Sequence, residues 1–108
     1  MNNSDFNVVL ENAITDLEET LFIKGSEYSH TQDRLKNFKD AADFNGIEPE
    51  QALWLFVTKH IIALKDFVWQ IDDNRITKNQ WAEKLGDIRA YMVLLEALVE
   101  ERITRETV

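Results

Sequence analysis

The chain contains no cysteine in its 108 residues, and only one proline and three glycines. Without cysteine there can be no disulfide, no thiolate zinc site and no cysteine nucleophile. So few turn residues exclude a β-sandwich or barrel, which needs a turn signal every dozen residues or so. Basic residues are also scarce: 12 Lys and Arg stand against 20 Asp and Glu, for a formal net charge of −8. A surface of that sign repels phosphate backbones and anionic lipid headgroups, so direct nucleic-acid or membrane binding is not expected. No apolar run approaches the roughly 18–20 residues that span a bilayer. Residues 1–10, MNNSDFNVVL, lack a basic start followed by an apolar run, so no signal peptide is expected either. The expected location is the cytoplasm. Glycine-rich phosphate loops, H-E-x-x-H and nucleophile elbows are missing as well, which leaves metal-assisted chemistry as the hydrolytic route open to the chain.

What is present is 44% hydrophobic residue content arranged with helical periodicity. The expected fold is all-α, a compact arrangement of three long helices and one short one in a single domain, with 103–108 a frayed tail. The first helix is expected from about Asp5 to Lys24, capped by Ser4 and stopped by Gly25, with Phe6, Leu10, Ala13, Ile14, Leu17 and Leu21 along one face. A short helix from about Asp33 to Asn45 turns Leu35, Phe38, Ala41 and Ala42 inward, and Gly46 closes it. Glu48-Pro49 opens a third helix, reaching roughly Ile71, with Leu53, Phe56, Val57, His60, Leu64, Phe67 and Ile71 inward. Thr77 and Gln80 have the spacing of a capping box for the last helix. Its main line is Trp81, Leu85, Ile88, Met92, Leu95 and Val99, with a second apolar stripe at Tyr91, Leu94 and Leu98.

Several polar residues sit where helix packing alone would place apolar ones. At 100° per residue, His60 falls at the centre of the third helix's apolar face, with Lys59 at its edge. A buried imidazole without partners costs about 1–3 kcal/mol, so His60 has to find a hydrogen bond. Lys84 and Asp87 lie on the side of the second stripe of the last helix, and Glu83 borders it. Glu83 and Asp87 are four residues apart, so their carboxylates can converge on one ion. The same spacing also allows a purely structural network in which Asp87 pairs with Lys84, His60 or Arg34. The segment KGSEYSHTQDRLKNF, residues 24–38, carries more donors and acceptors than a helix connection needs. Trp54 and Trp69 project from other faces of the third helix, as subunit contacts do. Helices apolar around most of their circumference imply a homo-oligomer, a dimer or a tetramer.

The pattern K-G-x-E-Y-x-x-x-x-D-R-L-x-N-F-x-x-A from Lys24 to Ala41 is followed by Lys59-His60. It is followed in turn by E-K-L-x-D-I-x-x-Y-x-x-L-L-x-A-L from Glu83 to Leu98. Over about residues 20–101 the chain resembles small helical proteins encoded by bacteriophages and prophages, related to the all-α MazG-like nucleotide pyrophosphohydrolases. That resemblance implies an oligomeric protein that binds Mg²⁺ through acidic side chains and splits a nucleoside triphosphate into monophosphate and pyrophosphate. The superfamily signature pairs an early E-x-x-E with a later E-x-x-D. Here the later element is Glu83-x-x-x-Asp87, one residue longer, and the early spacing is met only by Asp16-x-x-Glu19. On this expectation Glu27, Glu83 and Asp87 hold the metal and form the catalytic set. Lys24, Arg34 and Lys59 meet phosphate charge, His60 and Asn37 orient the site, and Tyr28 or Tyr91 contacts base or sugar. The alternative expectation is a non-enzymatic phage accessory protein that binds a host factor or defence system, with the polar residues forming only a structural network.

Overall fold

The computed structural model describes residues 1–24, 33–72 and 75–106. The described residues form four α-helices and no strand, so the protein is all-α. Among them no helix is long and apolar enough to cross a membrane. The chain divides into two compact units, Met1–Arg34 and Leu35–Val108.

In the first unit, α1 spans Asn3–Glu18. Its cap is Asn2 rather than the expected Ser4: Asn2 has extended backbone, and its side-chain oxygen accepts the Asp5 N–H at 2.8 Å. Ser4 lies inside the first turn, where its own backbone is already helical. From Glu19 the helix widens into a π-helical turn that runs to Lys24. The expected stop at Gly25 lies outside the described residues. Phe6, Leu10 and Ile14 line up as expected but stay 46–54% exposed, and α1 has no buried residue.

The second unit holds three helices. The short helix α2 spans Lys36–Asn45. Gly46 ends it in the left-handed conformation with φ 67°, which glycine adopts without a Cβ penalty, and Ile47 N–H closes back on the Ala42 carbonyl at 3.0 Å. Helix α3 spans Pro49–Trp69, with proline in its first turn. Its cap is reciprocal: the Glu48 N–H donates to the Gln51 side chain at 2.9 Å, and the Glu48 carboxylate receives the backbone of that third position. Helix α4 spans Lys78–Glu106, a turn beyond the expected end near Arg102. The expected Thr77–Gln80 box is present, with N–H to side-chain bonds of 2.7 and 3.1 Å.

Helices α2 and α4 both pack on α3. Leu35, Phe38, Leu53 and Leu98 make the buried cluster, with Tyr91, Leu94 and Leu95 against it. Leu53 and Val57 are fully buried. Phe38 meets Phe56 and Tyr91 edge-on at 5.9 and 6.4 Å, and Phe67 meets Trp81 in the same way at 5.3 Å. The main line of α4 divides: Leu95 packs against the core and Trp81 against Phe67, while others of its members open to solvent. The second stripe, Tyr91–Leu94–Leu98, faces the core, while Leu85, Met92 and Val99 of the main line remain 37–40% exposed. Both stripes satisfy helical periodicity; the positions of α2 and α3 select between them.

A charged clamp ties the start of α3 to the end of α4. Arg102 Nε donates to Glu50 Oε2 at 2.6 Å, and its Nη2 donates to Glu50 Oε1 at 2.8 Å and Glu48 Oε2 at 2.6 Å. The guanidinium hydrogen bond holds the Glu50 carboxyl below the usual carboxylate range, against the opposing pull of burial. The two carboxylates in turn push the Arg102 guanidinium up. Nearby, Lys39 of α2 pairs with Glu101 at 2.7 Å. Read along the chain, residues 96–102 look like an ordinary solvated charge run. Their partners lie some fifty residues away, so no local signal could have found the clamp.

Candidate functional site

The polar centre of the second unit forms where α3 presents His60 and α4 presents Lys84, Asp87 and Tyr91. On α4 these three residues share one face, because offsets of three, four and seven residues return to nearly the same angle. That face continues into Leu94, Leu95 and Leu98. The fully buried positions of the molecule are all apolar among the described residues. The polar groups are thus gathered at the Lys78 end of the α3–α4 contact, in a half-buried position.

Lys84 Nζ stands 3.3 Å from His60 Nδ1. An ammonium can only donate, so a hydrogen bond between the two has Nδ1 as its acceptor. Asp87 Oδ2 lies 3.8 Å from the same Nδ1, which is an electrostatic contact rather than a hydrogen bond. The His60 side chain is 17% exposed and that of Asp87 43% exposed, so the carboxylate is the group that opens to solvent. Tyr91 stacks obliquely on the imidazole, with ring centroids 5.4 Å apart and planes 39° apart. Burial pushes the Tyr91 phenol up, and the negative charge of Asp87 adds to the effect.

Of the residues expected to form a site, His60, Asp87 and Tyr91 come together, with Lys84 between them. Glu83 is exposed on α4, about 40° around the axis from Asp87. Lys59 is exposed on α3, about 100° from His60. Asn37 is exposed in the first turn of α2. In the first unit, Arg34 Nη2 donates to the Leu21 carbonyl at 2.6 Å, fastening it to the π-helical turn. The Lys24 side chain, Glu27 and Tyr28 lie outside the described residues.

Glu83 and Asp87 offer the hard oxygen donors that Mg²⁺ prefers. Among the described residues no three His, Asp or Glu side chains stand together as a complete ligand set. Magnesium seldom needs one, since one or two carboxylates, waters and substrate phosphates commonly complete its octahedron. No family model, curated protein or solved structure matches the chain.

Proposed function

We propose that the protein binds a nucleoside triphosphate as its Mg²⁺ complex at the His60–Lys84–Asp87–Tyr91 centre, as a phage-type, MazG-like protein in the host cytoplasm. The observation that carries this reading is the gathering of a carboxylate, an ammonium and a phenol around one imidazole. The helix contact they interrupt packs Leu53 against Leu94, Leu95 and Leu98 and is closed at its far end by the Arg102 clamp. Glu83 and Asp87 would hold the metal. Lys84 would take a phosphate oxygen, and Tyr91 with its raised pKa would remain a neutral donor or stacking surface for base or sugar. Bound Mg²⁺ would neutralise triphosphate charge and lower the pKa of a coordinated water, which is the requirement for pyrophosphohydrolase activity.

The test is a panel of ribo- and deoxyribonucleoside triphosphates with Mg²⁺, read by pyrophosphate release and by thermal shift. A rise in melting temperature that requires both metal and nucleotide supports binding, and pyrophosphate release adds catalysis. If no nucleotide gives either signal, the reading fails.

A second reading is favoured by one specific observation: Trp54 and Trp69 are 53% and 81% exposed on α3. Large aromatic side chains left in water mark protein contacts. On this reading the protein is an accessory interaction module, and the polar centre only fixes the approach of α4 to α3. The nucleotide panel would then be silent while a protein partner raised the melting temperature.

A further inference from the structure

Of the chain's asparagines only Asn45 is followed by glycine. Asn45 is the last residue of α2, and both it and Gly46 are exposed. The helix needs glycine at its end, because the stop at residue 46 is left-handed with φ 67°. A Cβ placed on Gly46 would have nothing within 4 Å, so the position is open to water. The lack of that Cβ also leaves the Gly46 backbone nitrogen unhindered towards the neighbouring Asn45 carboxamide carbon. Two contacts of the helix end keep these atoms from meeting. Asn45 Nδ2 donates to the Ala41 carbonyl at 2.7 Å, which turns the carboxamide back along the helix. The Gly46 N–H is directed at the Ala42 and Asp43 carbonyls, the latter at 3.4 Å.

We propose that Asn45 is a site of spontaneous covalent modification by its own backbone, gated by the last turn of α2. The Gly46 nitrogen gives its proton to hydroxide and attacks Asn45 Cγ. The new N–Cγ bond closes a five-membered succinimide, the Cγ–Nδ2 bond breaks, and Nδ2 leaves as ammonia with a proton taken from water. Water then opens the ring. Cleavage of the N–Cγ bond gives aspartate, and cleavage at the Asn45 backbone carbonyl gives isoaspartate, whose main chain runs through the former side chain. One water enters and one ammonia leaves. The fold holds this reaction back, because the ring closes only when the Asn45 ψ leaves its helical value. The Gly46 N–H, pointed at two carbonyls, is also withheld from hydroxide. The gate is local: Asp43, Phe44 and Asn45 are exposed, Phe44 to 90%, so opening these residues uncovers little apolar surface. The product cannot resume the same turn. A carboxylate has no hydrogen for the Ala41 carbonyl, and it adds negative charge at the negative end of the helix, two residues from Asp43. Isoaspartate also lengthens the main chain where the Ile47 N–H has to reach the Ala42 carbonyl at 3.0 Å.

The inference does not depend on nucleotide binding, because it concerns the end of α2 and not the His60 centre. Peptide mapping by mass spectrometry tests it on the full chain, held at mildly alkaline pH in native buffer and in unfolding guanidinium chloride. In the unfolded chain Asn45 is expected to react at least about ten-fold faster than Asn79, which is followed by Gln80. Its products are expected to be both aspartate and isoaspartate. Gly46→Ala, read in the same denaturant where native backbone strain plays no part, is expected to slow Asn45 by about the same factor. In the native chain the Asn45 rate is expected to fall at least about ten-fold. Asn45→Asp puts the product's charge in the turn and is expected to lower the melting temperature by a few degrees. Asn45→Ala, which loses the hydrogen bond without adding charge, is expected to lower it less. An unfolded chain in which Asn45 reacts no faster than Asn79, or yields aspartate alone, overturns the site. Equal rates in the folded and unfolded chain overturn the gate. An Asn45→Asp variant that melts level with Asn45→Ala, or above it, overturns the link to α2.

Discussion

Replacing Asp87 with asparagine separates a ligand site from a structural network, and the geometry sets the size of each effect. The Asp87 side chain is 43% exposed, and its nearest ring atom on His60 is 3.8 Å away. A contact that long, open to water and aimed at an imidazole, belongs with screened surface pairs, worth about 0–1 kcal/mol. Asparagine keeps the shape, so unfolding free energy in urea should fall by no more than about 1 kcal/mol, a few degrees in melting temperature for a domain of this size. Affinity for Mg²⁺–nucleotide should fall at least about ten-fold, because the acceptor that opens to solvent has lost its charge. Tyr91 supplies an internal control. The chain has two tyrosines, so in a Tyr28→Phe background the ultraviolet phenolate titration reports Tyr91 alone. Its pKa is raised first by burial and second by the Asp87 charge, so Asp87→Asn should lower it part of the way towards the ordinary value. A loss of about 3–5 kcal/mol with unchanged ligand affinity would refute the site reading, since that is the cost of orphaning one member of a buried ion pair.

Two further consequences concern the frame around the site. Leu53 is fully buried and Leu55, two residues on, is 64% exposed, so Leu53→Ala should cost about 2–5 kcal/mol of folding stability while Leu55→Ala should cost no more than about 0.5 kcal/mol. A cost below about 1 kcal/mol at Leu53, measured by urea melts, would place the core elsewhere. Glu50 has its carboxyl held down chiefly by Arg102, so its contribution is complete above the ordinary glutamate pKa of about 4.3 and is lost as pH falls through the lower folded value. Acid melts of the wild type should therefore show a decline below that range which Glu50→Gln flattens; identical acid profiles would show that the clamp carries no pH-linked stability.

Local chemistry was legible along the chain wherever partners are three or four residues apart. The Thr77–Gln80 box, Pro49 in a first turn and Gly46 as a left-handed stop follow from backbone groups that each helix end must satisfy by itself. Even there, two oxygen-bearing side chains competed for the start of α1, and extended backbone at Asn2 decided against Ser4. Angular position around each helix was equally legible. It brought His60 onto the apolar face of α3, and Lys84 and Asp87 onto the Tyr91 side of α4, before any contact was known.

Which side of a helix becomes the inside was a different matter. Helix α4 carries two stripes with correct periodicity, and its own residues favour the longer one, from Trp81 to Val99. Only the arrival of Phe38 and Leu53 from other helices buries Leu98 and leaves Met92 and Val99 partly in water. The Arg102 clamp has the same origin, joining residues 52 and 54 positions apart. The sequence by itself determined the helices, their ends and the angle at which each side chain leaves its axis, because those depend on neighbours within one or two turns. Tertiary structure alone decided which stripe is core, which charges meet, and that His60 shares one centre with Lys84, Asp87 and Tyr91, because burial is settled between segments distant in the chain.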